Sequence, residues 1–221
     1  MKRYLRLIAI LALIIPGLAR AQLNITAEVG GIPDVGSATL LNFDGSKPSL
    51  LTLTGAYLVT GSDAKIYEAP YLSGSTAAFF GDSSADGPDT SQYVAVEANG
   101  SATLNFSSPQ DYFGLLWGSL DQWNELQFYN SRGALIGSVL GTDVVDPSEA
   151  DGDPGVNGTY YVNITSSTPF SKVVASSPLN SFEFDDVAFA SSVLPVPEPT
   201  SSALIAWGLG IIFLVINRKR A

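Results

Sequence analysis

Five carboxylates stand within eleven residues of the chain, in the run 143–153. Asp151, Asp153 and Asn157 are spaced so that one loop could supply several oxygen ligands, and calcium prefers six to eight oxygens from flexible carboxylates and carbonyls. The EF-hand pattern is absent, because Val156 stands where such a loop needs glycine. The run therefore indicates either a calcium site of another geometry or a hydrated acidic loop.

A second cluster surrounds Trp123, where Asp121, Gln122 and Asn124 are its neighbours in the chain. Aromatic faces stack on sugar rings, and nearby carboxylates and amides bind sugar hydroxyls. These four residues therefore have the chemistry of a ligand-binding site for a sugar. The alternative is that the ring packs in a core while Asp121 or Asn124 caps a turn. Trp117 is the stronger candidate for the core.

Two missing residue types restrict the chemistry further. The chain has no cysteine and no histidine, so Ser-His-Asp and Cys-His catalysis and zinc sites built on thiolate or imidazole are excluded. Paired carboxylates such as Asp185 and Asp186 hydrolyse glycosides when they are held roughly 5 to 9.5 Å apart. Nothing in the sequence fixes that separation, and we expect no enzymatic activity.

The charge of the chain excludes one class of partner. Residues 22–195 contain twenty acids and four bases, a formal charge of −16. Such a surface repels phosphate backbones, so we expect no binding to nucleic acid.

Apolar and polar residues alternate with period two between positions 22 and 190, and glycine, proline, asparagine and aspartate separate the short runs. This pattern predicts an all-β domain, an antiparallel, jelly-roll-like β-sandwich of ten to twelve strands. The domain is long enough to bury a core without disulfide bonds.

The turn residues predict individual strands within this domain. Asn99-Gly100 favours a type I′ turn, which predicts a hairpin between residues 93–97 and 101–106. A second hairpin is expected between residues 125–129 and 134–140. Later strands are expected at residues 159–165, 171–175 and 182–189, the last of them with a bulge at Asp185-Asp186 that keeps its phenylalanines on one face.

The two ends of the sequence have the composition of targeting segments. Residues 1–21 have the basic start, the apolar run and the small-residue cleavage site of a secretory signal peptide. Residues 191–200 form a Ser/Pro-rich stalk, and the uncharged residues 201–216 predict a transmembrane helix of about 24 Å. The basic tail 217–221 is expected to stay in the cytoplasm.

This C-terminal end resembles the PEP-CTERM sorting signal of Gram-negative bacteria. Pro197, Glu198 and Pro199 form its motif, followed by the apolar helix and the basic tail. Residues 112–129 and the closing Phe-Glu-Phe-Asp-Asp strand also resemble a family of exosortase-dependent surface proteins. The resemblance implies export across the inner membrane, a transient membrane anchor through the helix, and recognition of the three motif residues by exosortase. It further implies a final location at the cell surface or in the extracellular matrix.

Together these observations predict a non-enzymatic exported surface protein that is sorted by exosortase and associated with the extracellular polysaccharide matrix. One alternative is a carbohydrate-binding module, stabilised by calcium if the acidic loop binds it, with an exopolysaccharide as partner. A second alternative is a small glycan hydrolase. The sequence leaves all three functions open.

Overall fold

The computed structural model describes residues 22–81 and 86–191. The signal peptide, the stalk from position 192 onward with its sorting motif, the transmembrane helix and the basic tail lie outside these residues. Within the described ranges, no helix is long and apolar enough to cross a membrane.

The described residues form ten strands, two short helices and one 3₁₀ turn. The first five strands are β1 (Leu23–Glu28), β2 (Thr39–Leu41), β3 (Leu51–Val59), β4 (Tyr71–Leu72) and β5 (Gly87–Pro88). The other five are β6 (Tyr93–Gly118), β7 (Glu125–Tyr129), β8 (Leu135–Leu140), β9 (Tyr160–Ser177) and β10 (Phe182–Ala190). The helices are α1 (Thr76–Phe80) and α2 (Gly141–Val144), and the 3₁₀ turn is Val156–Gly158.

Two long strands, β6 and β9, take part in both layers of an antiparallel sandwich. In one layer, β3 pairs with residues 101–104 of β6, which pair with the second half of β9, and β7 and β8 continue the sheet. In the other layer, residues 112–117 of β6 pair with the first half of β9, which pairs with β1. The all-β sandwich expected from the alternation of the sequence is confirmed.

Strand β10 closes the second layer between two parts of β6. Phe182 lies opposite Val96, and Ala190 lies opposite Tyr112. In both pairings the residue numbers of β6 fall as those of β10 rise, so the strands run in opposite directions. The register shifts between Asp185 and Ala188, and Asp186 has a φ of 50°. The bulge predicted at this position is therefore confirmed.

Aromatic rings fill the space between the layers. The ring of Phe113 in β6 meets that of Phe128 in β7 edge-on at 5.9 Å, although these parts of the two strands do not pair. Trp117 is fully buried and stacks on Phe182 at 4.5 Å, as expected of a core residue. Burying one such side chain contributes about 1.5 to 3 kcal/mol to stability, so these contacts hold the layers together.

The hairpin predicted at Asn99-Gly100 is wrong. Residues 93–118 form one continuous strand, and β3 pairs with it on both sides of this dipeptide. Asn99 does adopt the positive φ that its sequence favours, at 62°, but it serves a bulge opposite Gly55. Residues 93–96 pair with β3 and β10, and residues 101–104 pair with β3 and β9, so both edges of each half are occupied and the halves do not pair with each other.

The strands predicted separately at residues 159–165 and 171–175 are also one strand, β9, which passes from one layer to the other. The second predicted hairpin is confirmed. It joins β7 to β8, and Gly133 supplies a positive φ of 77° in the turn.

Candidate functional site

The residues around Trp123 lie in a turn after β6. Asp121 and Asn124 are buried, Gln122 is exposed and Trp123 is half-buried. The Asn124 side-chain amide donates to the main-chain carbonyl of Ser181 at 3.1 Å. The turn therefore directs the Asn124 amide into the fold and leaves Gln122 and part of the Trp123 ring at the surface. Sugar binding by these four residues stays a prediction.

The structure brings the predicted calcium ligands together in an open recess of about 370 Å³, called here the acidic recess. It is lined by Ser148, Glu149, Asp151, Asp153, Asn157 and Tyr160. One oxygen of Asp153 accepts the main-chain N–H of Gly155 at 2.8 Å, which leaves its other oxygen for a ligand. In residues 22–81 and 86–191, no group of three or more His, Cys, Asp or Glu side chains is arranged to hold a metal ion. A calcium site here would draw on two carboxylates, the Asn157 amide and carbonyls, and it stays a prediction.

The two sequence-predicted sites adjoin each other. Asp121 and Asp151 form an isolated antiparallel bridge, and the N–H of Gly152 donates to the carbonyl of Leu120 at 3.1 Å. Burial, with a further contribution from the negative charge of Asp151, raises the pKa of Asp121 to about 6. The acidic loop is therefore held against the Trp123 turn by the main chain, a proximity that the sequence did not reveal.

A larger feature opens where β6 crosses between the layers. This groove, called here the neutral groove, has a volume of about 700 Å³. It is lined by Ser37, Thr39, Ser49, Leu50, Asn105, Phe106, Ser107, Ser108, Gln110, Phe189, Ala190 and Ser191. None of these residues carries a charge, in a chain with a formal charge of −10. Hydroxyl and amide groups therefore dominate its polar surface.

The crossover of β6 builds this groove. The pairing of β6 with β9 shifts register between Asn105 and Gln110, so residues 106–109 leave the ladder. Gln110 stabilises the crossover, because its side-chain N–H donates to the carbonyl of Ser108 at 2.7 Å. Phe106 packs against Phe189 of β10, with ring centroids 4.9 Å apart, and forms the apolar part of the groove.

The neutral groove could hardly be predicted from the sequence. Its residues come from four separated segments, and serine and threonine are common throughout this chain. The only local sign is Ser107-Ser108-Pro109, where proline interrupts an otherwise continuous strand pattern.

Glu183 of β10 is a buried carboxyl group that sequence reasoning also missed. Its Oε1 accepts the main-chain N–H of Glu68 at 3.0 Å and the hydroxyl of Ser181. Burial raises the pKa of Glu183 to about 7. The side chain lines a narrow cleft of about 130 Å³ together with Lys65 and Asp121.

Three more carboxyl groups, Asp89, Asp185 and Asp186, are fully buried. The Ser91 hydroxyl donates to Asp89 at 2.6 Å and also lies 3.3 Å from Asp185. Burial, together with the neighbouring charges of Asp186 and Asp89, raises the pKa of Asp185 well above its ordinary value. The Asp185-Asp186 pair considered for glycoside hydrolysis therefore lies inside the fold and does not line the neutral groove.

No protein-family model and no curated protein matches the chain. Solved structures overlap with it weakly. A family 6 carbohydrate-binding module has a TM-score of 0.34 and 13% identity, over 70% of this chain and 94% of the module. A carbohydrate-binding module of Cellvibrio mixtus lichenase 5A, solved with cellotriose, has a TM-score of 0.34 and 12% identity, over 70% of this chain and 98% of the module. The catalytic domain of a GH87 α-1,3-glucanase, solved with nigerose, has a TM-score of 0.32 and 14% identity, over 69% of this chain and 30% of that chain.

Proposed function

We propose that the protein is a non-enzymatic carbohydrate-binding module whose binding site is the neutral groove. One observation carries this proposal: the groove combines uncharged hydroxyl and amide groups with two phenylalanine rings in about 700 Å³. Of the functions expected from the sequence, this is the first alternative rather than the main one.

The groove offers what a saccharide needs for recognition. Serine, threonine, asparagine and glutamine side chains donate and accept hydrogen bonds, as sugar hydroxyls do. The half-buried ring of Phe189 offers an apolar surface to the C–H groups of a sugar ring, and Phe106, which is 9% exposed, packs behind it. The volume lies within the roughly 300 to 1,000 Å³ of sites that enclose small ligands. The groove, rather than the 13%-identical module, supports the assignment.

The hydrolase alternative receives less support. Glycoside hydrolysis needs two carboxyl groups beside the bound sugar, and among residues 22–81 and 86–191 no carboxyl group lines the neutral groove. The acidic recess has three carboxylates and one aromatic ring, that of Tyr160, but its volume of about 370 Å³ is roughly half that of the neutral groove. Binding without turnover is therefore the activity that this geometry favours.

The test is to measure binding of the purified full-length protein to a panel of soluble polysaccharides. The exposed groove residues Asn105 and Ser107 are each replaced with alanine. Each lost hydrogen bond is worth about 0.5 to 1.5 kcal/mol, so the affinity should fall roughly twofold to tenfold. Asn24→Ala, at an exposed asparagine of β1 outside the proposed sites, is the matched control and should bind like the parent protein. Equal loss in all three variants, or loss only in the control, would contradict the groove.

We also propose that exosortase sorts the protein to the cell surface or the extracellular matrix. The support is the order of the signals in the sequence: a signal peptide, Pro197-Glu198-Pro199, an apolar segment and a basic tail. On this proposal the exopolysaccharide of a Gram-negative producer is the natural ligand, because module and polymer meet outside the cell.

A further inference from the structure

We infer that the neutral groove selects uncharged polysaccharides and rejects polymers that carry uronic acids. This inference rests on the proposed function and names the ligand class of the same site. Its first support is the lining itself, in which every polar group is a hydroxyl, a carboxamide or a main-chain group. A carboxylate entering the groove would lose hydration without gaining a cationic partner, which is costly.

Two basic residues that neighbour groove residues, one across a strand pair and one along the chain, have other partners. Lys172 is the register partner of Asn105, but its ammonium group lies 4.0 Å above the ring of Tyr129. Lys47 precedes the groove residue Ser49 by two positions, and its ammonium group donates to the carbonyl of Leu51 at 2.6 Å. Neither base lines the groove, so neither is in place to neutralise an acidic sugar.

The two remaining bases of residues 22–195 lie in other parts of the fold. Lys65 lines the cleft of Glu183, and Arg132 lies in the turn between β7 and β8. In the part of the chain that the structure describes, no lysine or arginine therefore lines the groove to offset the repulsion between an approaching polyanion and the formal charge of −16 on residues 22–195. At physiological ionic strength, salt screens this long-range repulsion beyond about 8 Å. Salt does not supply a cationic partner inside the groove, so the local cost of placing a carboxylate there remains.

The experiment compares one polymer in two charge states, with the full-length protein. The panel contains neutral β-1,4-glucan, β-1,3-glucan, mannan and xylan, and the acidic polymers alginate and polygalacturonate. The tightest neutral binder with free primary hydroxyl groups is then oxidised at those groups to the corresponding uronate, which preserves its linkage. We expect the oxidised polymer to bind at least tenfold more weakly, and most of this difference to persist in 0.5 M salt with chelator present.

The outcomes separate the inference from the function on which it rests. If no polymer binds, the proposed function fails. If an acidic panel polymer binds as tightly as the neutral ones, or if oxidation leaves the affinity unchanged, the inference fails and the binding function stands. If acidic polymers bind only when calcium is present, a bridging cation mediates the contact, and selection by the groove alone is overturned.

A positive charge introduced into the groove by mutation also tests whether the lack of a cation there excludes acidic polymers. Asn105→Lys should raise the affinity for the oxidised polymer at least threefold relative to the parent protein, because it supplies the missing cation. Asn24→Lys, at an exposed position of β1, makes the same change of net charge outside the groove and is the control. Equal gains in both variants would show that overall charge, rather than the groove, governs selection.

Discussion

Glu183 shows how burial alone changes the chemistry of a side chain. It is 1% exposed, and its Oε1 accepts hydrogen bonds from the main-chain N–H of Glu68 and from the hydroxyl of Ser181. Its pKa of about 7 means that about half of the molecules hold a proton at this position at neutral pH. Asp121, with its pKa of about 6, shifts in the same direction.

These two groups predict that the protein loses stability as the pH rises. When the pKa of a carboxyl group is higher in the folded protein than in the unfolded chain, the group contributes its full stabilisation at a pH below the unfolded pKa. That contribution is lost as the pH rises through the folded pKa. For Glu183 the window runs from about 4.5 to about 7. At about 1.36 kcal/mol per pKa unit, the loss is roughly 3 kcal/mol. Urea unfolding at pH 5 and pH 8 should show the lower free energy of unfolding at pH 8.

The variant Glu183→Gln separates the contribution of Glu183 to the pH dependence of stability from that of the repulsion among the other acidic residues. The amide keeps the size of the side chain and does not titrate, so the difference between pH 5 and pH 8 should shrink. An unchanged difference in the variant would assign the pH dependence to other groups, such as Asp185.

Residue chemistry could be predicted from the sequence only in part. The burial of Trp117 followed from its place in an apolar run, and the grouping of Asp151, Asp153 and Asn157 followed from their spacing. The inward direction of the Asn124 amide did not, because its partner is the carbonyl of Ser181, 57 residues away. Polar side chains that satisfy distant main-chain groups look like surface residues in a sequence.

At the scale of elements, the bulge in β6 depends on a close approach of two glycines. A Cβ atom on Gly100 would lie 2.0 Å from the carbonyl oxygen of Gly55, which leaves no room for a side chain. Gly100→Ala should therefore lower the free energy of unfolding by about 1 to 3 kcal/mol, the usual cost of overpacking. Chemical denaturation of the full-length protein measures this.

Gly36→Ala is the matched control for this variant. A Cβ atom on Gly36 meets nothing within 4 Å, and Gly36 does not have a positive φ. Its stability should stay within about 0.5 kcal/mol of the parent protein. If both alanine variants behave alike, the contact between Gly100 and Gly55 does not support the bulge.

The two turns predicted as hairpins show how far local sequence determines strand pairing. Residues 130–133 connect β7 directly to its neighbour β8, while β9 pairs with the other edge of β7, and the short-range signal was sufficient. Asn99-Gly100 carries an equally strong signal, but β3 pairs across it and fixes one long strand instead. A positive φ was predicted correctly at Asn99, whereas its use in a bulge depends on long-range pairing.

At the scale of the whole molecule, the neutral groove exists only after four segments come together. Residues 37–39, 49–50, 105–110 and 189–191 are joined by the crossover of β6 and by the end of β10. Each segment taken alone is a short run of serine, threonine and amide residues with an occasional apolar side chain, which is common throughout this chain. The sandwich could be predicted from the alternation of apolar and polar residues. The groove could not, because its residues are far apart in the sequence and form no local motif.

Calcium binding is a second prediction at this scale. A cation at Asp151, Asp153 and Asn157 would relieve repulsion among the acids, and calcium at a hundredfold excess over Kd would add about 2.7 kcal/mol of stability. Melting of the full-length protein in millimolar calcium should then exceed melting in chelator at matched ionic strength. Asp151→Asn with Asp153→Asn should remove the shift, and Asp146→Asn should retain it. The absence of any shift in the parent protein would eliminate the calcium site.

Sorting to the cell surface is tested by replacing Pro197, Glu198 and Pro199 with alanine in the producing bacterium. If exosortase reads this motif, the variant should remain in the inner membrane at full length, while the parent protein appears outside at a lower mass. Cell fractionation with mass spectrometry measures both. Unchanged export and mass in the variant would overturn the sorting proposal.

The most direct test of the central claim is to locate the bound polysaccharide on the full-length protein. Hydrogen–deuterium exchange is measured with and without a saturating concentration of the neutral polymer that binds in the panel. Binding in the neutral groove predicts slower exchange at residues 105–110 and 189–191, with little change elsewhere. Slower exchange confined to residues 121–124 or 148–160 would contradict it and assign the ligand to the Trp123 turn or the acidic recess.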